Sequence, residues 1–252
     1  TYYCGEECMK AHWPKHKVWH KEQKQRAKEM REGDQPECTR SLAEAEARLA
    51  ERTGDEIDKR FAAALALNAE GDHNAAAKAW RKLIKQSPDE PGAYHNLANV
   101  MARSGRYAEA AAMNLKTMEL CEDGTEEWAE SAADAFDLLK HPDCREVPKP
   151  EWWNDEGLKA LSARVVALAP DDAYACAMRA RVLCGDALGK APWNAGSRTA
   201  AEVKEAATWL RRSARVTSVP SAKLDCEQYA SKYEEYADPL LAKEEAEAAK
   251  AR

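Results

Sequence analysis

The sequence predicts an all-α fold, a solenoid of stacked helical hairpins behind a short N-terminal segment rich in Cys and His. Three observations carry this expectation. From about residue 57 onward the chain is Ala-rich, with few β-branched runs and only 11 glycines in all 252 residues, a composition that favours helix. The same stretch repeats itself at an interval of 34 residues, within the range of periods expected of stacked supersecondary units. The longest uninterrupted apolar run, Phe61 to Leu67, is seven residues, far short of the roughly 20 needed to cross a bilayer. Amphipathic helices packed on one another fit all three; a membrane span fits none.

Charge divides the chain. Residues 1–31 hold eight Lys/Arg against four Glu, a net of +4, so residues 32–252 hold −10 of the total of −6. Three of the six histidines fall in the first 20 residues. The eight cysteines show no framework of short spacings after Cys38, which predicts a reducing compartment, cytoplasmic or nuclear, rather than a disulfide scaffold. The chain opens on Thr1, and the expectation is that a longer reading frame precedes it.

Residues 1–20 place metal-ligand types at Cys4, Cys8, His12, His16 and His20. A four-residue step is about one helical turn, so neighbouring pairs can aim at one ion. Five in a row cannot converge, because the row rotates by roughly 40° per step and Pro14 removes a backbone donor. A Cys4/Cys8 pair and a His16/His20 pair remain, with His12 the odd member. Two thiolates and two imidazoles suit a closed, structural Zn2+ site. Seven residues separate Cys8 from His16, against about twelve in a single-ion ββα finger. The pattern Tyr3-Cys4-x3-Cys8-x3-His12-Trp13-x2-His16-Lys17-x2-His20 resembles the C-terminal half of a MYND-type zinc finger. That resemblance implies that Cys4 and Cys8 serve one zinc ion while His16 and His20 serve another. The chain departs from the family pattern in lacking the four early cysteines and in carrying His20 where the family has Cys.

Residues 21–56 read as a basic helix and linker. Glu22 and Glu29 interleave with Lys21, Lys24, Arg26, Lys28 and Arg31, which favours a solvated face over a nucleic-acid surface. Gly33, Asp34, Pro36 and Thr39 end that helix.

The array follows in units 57–90, 91–124, 125–170 with an insertion around His141 to Pro150, a degenerate 171–220, and a C-terminal helix and polar tail over 221–252. Ala64, Ala98 and Ala132 keep one register and let paired helices approach closely, while Gly71 and Gly105 supply left-handed turns. Tyr94, Trp128 and Tyr174 recur at a large aromatic position, and Pro88 sits where a second helix must end. Ala76-x3-Trp80 and Ala110-x3-Asn114 occupy one slot of consecutive units. The pattern resembles the tetratricopeptide repeat (TPR), and residues 57–252 read as a TPR-like array of about three and a half units.

The body offers no Ser/His/Asp order and no phosphate-cradling loop, so a non-enzyme is expected. Cys121, Cys144, Cys176, Cys184 and Cys226 read as buried helix residues. Both resemblances imply a zinc-binding adaptor that docks peptide segments of protein partners. By repeat position the groove-facing residues are His95, Asn96, Asn99 and Arg103, which equally fit a solvated face without a ligand. Repeat domains that grip acidic chaperone tails place Lys, Asn and Arg on their first helices. The matching positions here hold Phe61, Leu65, Asn96, Glu126 and Glu130, so such a tail is not expected to bind. An alternative is a fragment of a MYND-containing, SET-type lysine methyltransferase without its catalytic part, since residues 21–56 are too few for a mixed β domain.

Overall fold

The computed structural model describes residues 43–44, 46–47, 56–187 and 190–250. Residues 43–44 and 46–47 are helical, and from Glu56 to Lys250 the described chain forms nine α-helices and one short 3-10 turn, with no strand, which is the all-α helical-repeat fold that composition and period predicted. Helix α1 (Glu56–Glu70) packs on α2 (His73–Gln86), and α3 (Pro91–Arg103) on α4 (Tyr107–Leu120). In the same way α5 (Glu126–Leu139) packs on α6 (Asp155–Leu168), and α7 (Ala173–Cys184) on α8 (Ala200–Val216). Each pair also touches the next, through α2 and α3, α4 and α5, and α6 and α7. The long α9 (Pro220–Lys250) lies along α8 and ends the stack. No helix among the described residues is long and apolar enough to cross a membrane.

Local chemistry sets the helix starts. Asp72, Thr125, Asn154 and Asp172 each accept a hydrogen bond from a backbone N–H three residues on, and Thr199 forms a reciprocal capping box with Glu202. The 34-residue interval reappears atom by atom in the turns. The Asp72 N–H donates to the Leu67 carbonyl at 3.2 Å, and the Arg106 N–H donates to the Met101 carbonyl at 2.8 Å. Between them Gly71 (φ 80°) and Gly105 (φ 77°) take the left-handed conformation that closes such a helix end.

Ala64, Ala98, Ala132, Ala76 and Ala110 are all fully buried, so paired helices meet backbone to backbone at the predicted positions. Trp80 is fully buried and Phe61 meets it edge-on, with ring centroids 4.9 Å apart. The large aromatic position is less uniform than expected. Trp128 is buried and Tyr94 half-buried, but Tyr174 is 51% exposed. Tyr174 stands on the first turn of α7, and the core side of that helix is taken by Ala175, Cys176 and Met178 instead.

Two irregular segments interrupt the array. The insertion after α5 contains a 3-10 turn, Pro142–Cys144, and returns through Trp152 and Trp153. Trp153 packs on Phe136 (5.7 Å) and on Trp193 (6.1 Å), which belongs to the other irregular segment, between α7 and α8. Thus the Trp152-Trp153 pair anchors the insertion on α5, and the two loops share one aromatic cluster.

Two further points sharpen the expectations. The polar end of the C-terminal helix stays helical, because α9 continues through Pro239 to Lys250. Proline removes one helix hydrogen bond, but Ala237 and Leu240 still pack on the α8 core. The Ala200 N–H at the start of α8 donates to Glu244 at 2.9 Å, so contacts on both sides of Pro239 hold the helix on. Not all the cysteines are buried helix residues. Cys144, Cys176 and Cys184 are buried, whereas Cys121 and Cys226 are half-buried; Cys121 caps α4 and Cys144 ends the 3-10 turn.

Candidate functional site

The first helices of the pairs stand side by side. Helix α1 touches α3, α5 touches α7, and a side-chain contact links α3 to α5. The predicted groove residues lie in this row, on α3. Asn99 donates from Nδ2 to His95 Nε2 at 3.0 Å, which leaves the ring proton on Nδ1, and Nδ1 lies 3.7 Å from Asp134 Oδ2 on α5. Burial lowers the His95 pKa below the ordinary imidazole value, so the ring is neutral at pH 7 and the contact with Asp134 is polar rather than ionic. Asn96 donates from Nδ2 to the Gly92 carbonyl at 2.8 Å. His95, Asn96, Asn99 and Arg103 are all half-buried. The structure therefore joins Asn99, His95 and Asp134 in an ordered strip, while Asn96 is tied to its own helix backbone and Arg103 stands in the last turn of the same helix.

Helix α5 gives the strip its charge. Glu126, Glu130 and Asp134 follow one another at four-residue steps and share one helix face. Burial and then the neighbouring Asp172, Glu126 and Glu127 push the Glu130 pKa up, and every charge that acts on it is negative. Asp134 was not among the predicted residues, although the acidic spacing along α5 is a signal that could have found it. Phe61 and Leu65, at the chaperone-tail positions, are core residues: Leu65 is 1% exposed and Phe61 packs on Trp80. Neither faces a ligand.

The predicted metal ligands Cys4, Cys8, His16 and His20 lie outside the described residues. Within the described residues no three His, Cys, Asp or Glu side chains are placed to hold a metal ion.

The family model of the TPR repeat matches residues 64–111. This segment of the chain is similar to the TPR repeat. It runs from the middle of α1 into the first turns of α4 and so includes the whole of α3, on which the strip sits. No curated protein matches the chain. Among solved structures it is similar to YrrB, a TPR protein with an unusual peptide-binding site. The identity is 17% and the TM-score 0.47, over 80% of this chain and 91% of that one. It is also similar to two structures of MamA. The first has 18% identity and TM-score 0.46, over 77% of this chain and 95% of that one. The second has 20% identity and TM-score 0.41, over 77% and 97%.

Proposed function

We propose that the chain is a non-catalytic protein-interaction scaffold whose first-helix row binds an extended segment of a partner across α3 and α5. The observation that carries this reading is the ordered run Asn99, His95 and Asp134, which crosses two first helices and begins inside the TPR-like segment. Side chains already held by one another lose less freedom when a ligand arrives. The carboxylates of Glu126 and Glu130 at the α5 end favour a segment that carries Lys or Arg there and disfavour an acidic tail. His95, Asn96, Asn99 and Arg103 are the proposed contacts on α3.

Selection of random peptides on the full chain tests this. Lys/Arg-bearing sequences are expected to be enriched on the wild type and lost on a Glu126→Lys/Glu130→Lys double variant. Enrichment of acidic sequences, or equal enrichment on both proteins, would sink the reading.

The finer parts of the proposal concern the N-terminal segment. Cys4, Cys8, His16 and His20 are proposed to hold Zn2+ in a MYND-like half-finger, supported by their residue types and spacing. Elemental analysis of the purified chain should find zinc that a Cys4→Ala/Cys8→Ala variant loses, and equal zinc in both would remove the assignment. A reducing location, cytoplasmic or nuclear, is supported by the five described cysteines all being free thiols.

A further inference from the structure

We propose that the array is built as two bodies that hinge at the seam between α4 and α5, with residues 140–154 strapped across it. This goes beyond the binding proposal and does not depend on it.

The first observation is what each second helix buries. Helix α2 buries Trp80 and Leu83, α6 buries Leu158, Leu161, Val165 and Val166, and α8 buries Val203 and Leu210. Helix α4 buries only Ala110, Ala111, Asn114 and Thr117. It is the one second helix whose buried set contains no large apolar side chain.

The second observation is the division of the core. One cluster gathers α1, α2 and α3 with Ala110 of α4, another gathers α5, α6 and α7, and a third gathers α7, α8 and α9, joined to the second through α7 and through Trp209, which packs on both. Only half-buried groups such as Met118 and Leu138 reach across, together with a small cluster of Ala111, Leu139 and Cys144.

The third observation is Asn114. It stands 34 residues after Trp80, in the slot where the preceding unit has its largest buried side chain. It is 2% exposed, and its Oδ1 has no hydrogen-bond partner. A buried carbonyl without a partner is a penalty that the closed state carries and that water relieves on opening. The nearby hydroxyls do not compensate. Thr117 donates to the Met113 carbonyl and Ser131 to the Glu127 carbonyl, each within its own helix, and Ser131 also meets the Cys121 thiol at the end of α4.

The insertion supplies what the seam lacks. Tyr107 at the start of α4 stacks on His141, with centroids 3.8 Å apart. Lys149 donates to the Cys144 carbonyl at 2.6 Å and to the Leu139 carbonyl at 3.5 Å, which ties the segment to the end of α5. Val147, Trp152 and Trp153 pack on the Ala111, Leu139 and Cys144 cluster. On the other edge the seam is spanned by the His95 and Asp134 contact between α3 and α5. A change of angle at the seam thus changes the spacing of the first-helix row between these two residues.

Hydrogen exchange followed by mass spectrometry on the full chain tests this with two substitutions. In the wild type, α1 to α4 and α5 to α9 are expected to open as two units with different opening constants. Asn114→Leu removes the unpartnered carbonyl and should slow exchange in α4 and α5 by about tenfold while leaving α7 and α8 unchanged. His141→Ala, on a partly exposed side chain, should speed exchange in the same two helices. A single opening constant for all helices in the wild type would overturn the proposal. So would an Asn114→Leu chain that fails to fold or exchanges faster throughout, or a His141→Ala effect spread evenly over both bodies.

Discussion

Arg198 and Asp155 form a buried, two-pronged ion pair across 43 residues of sequence. Arg198 donates from Nη1 to Asp155 Oδ2 at 3.0 Å and from Nη2 to Oδ1, and its side chain is only 3% exposed. The same guanidinium donates to the carbonyls of Val182 and Gly196, at 3.0 and 2.8 Å, while Trp193 donates to Asp155 at 3.4 Å. One side chain therefore pins the segment between α7 and α8 to the start of α6 and to the end of α7. Trp193 is held against Phe136 by the same anchor, at 5.7 Å.

Removal of one partner leaves the other charged and buried. Asp155→Ala is expected to destabilise the chain by about 3–5 kcal/mol, whereas Asp155→Leu with Arg198→Met should recover most of that loss. Burial pushes the Asp155 pKa up, but hydrogen bonds and charge from Arg198 outweigh it and hold the carboxyl below its ordinary range. A depressed folded pKa contributes stability that is present above the ordinary carboxylate value of about 4 and is lost as pH falls through the folded value. Urea midpoints at stepped pH should show that acid loss in the wild type and a shallower one in the double variant. Equal acid profiles would mean that the pair contributes nothing to acid stability.

Gly185 is the second support of the same segment. It sits at φ 55° and ψ −123°, and a Cβ there would lie 2.8 Å from Arg198 Nε. Gly185→Ala should cost about 1–3 kcal/mol through backbone strain alone, with more from the displaced guanidinium. Because both substitutions act through Arg198, Gly185→Ala and Asp155→Ala should be less than additive in a thermal double-mutant cycle. Strict additivity would show that the glycine acts independently of the ion pair.

The fold class was legible because it rests on short-range, repeated signals. The alanines at 64, 98 and 132 and the glycines at 71 and 105 each serve a local geometric need that recurs every 34 residues. The Arg198 and Asp155 pair was not legible, since an ion pair between an irregular segment and a helix start has no period and no fixed spacing. The continuity of α9 through Pro239 was not legible for a related reason: a local breaker is outweighed by Ala237, Leu240 and Glu244, whose partners on α8 are distant in sequence. On α3 repeat register proposed His95, Asn96, Asn99 and Arg103, but the hydrogen bond between Asn99 and His95, the bond of Asn96 back to Gly92 and the part of Asp134 needed coordinates.

Thiol reactivity should follow burial. Desolvation pushes the Cys176 thiol up to about 11, so at neutral pH only about one thiol in ten thousand is the reactive thiolate. Cys121, Cys144 and Cys226 are raised for the same first reason. Timed alkylation with iodoacetamide, mapped by mass spectrometry, should label half-buried Cys121 and Cys226 before Cys144, Cys176 and Cys184, with urea abolishing the order. Early native labelling of Cys176 would contradict the packing of α7 against Pro170, whose carbonyl accepts from the Cys176 thiol at 3.4 Å.

His95 predicts a separate response near neutral pH. Burial holds its folded pKa below 6.5, so as pH falls through 6.5 the unfolded chain takes up the proton first. The contribution is fully present above 6.5 and declines as pH drops toward the folded value, before the carboxylates titrate. His95→Gln removes the titrating ring, and it should flatten the stability profile just below pH 6.5 while leaving the steeper acid loss below about 4 in place. Binding should respond in the same window. Protonation takes away the lone pair on Nε2 that accepts from Asn99, and it adds positive charge beside Asp134. A Lys/Arg-bearing peptide should therefore bind the wild type more weakly once the pH has fallen through the folded His95 pKa, with the His95→Gln chain showing the smaller change. A wild type whose stability below pH 6.5 and whose affinity at lower pH follow those of the His95→Gln chain would place His95 in ordinary solvent and outside the binding strip.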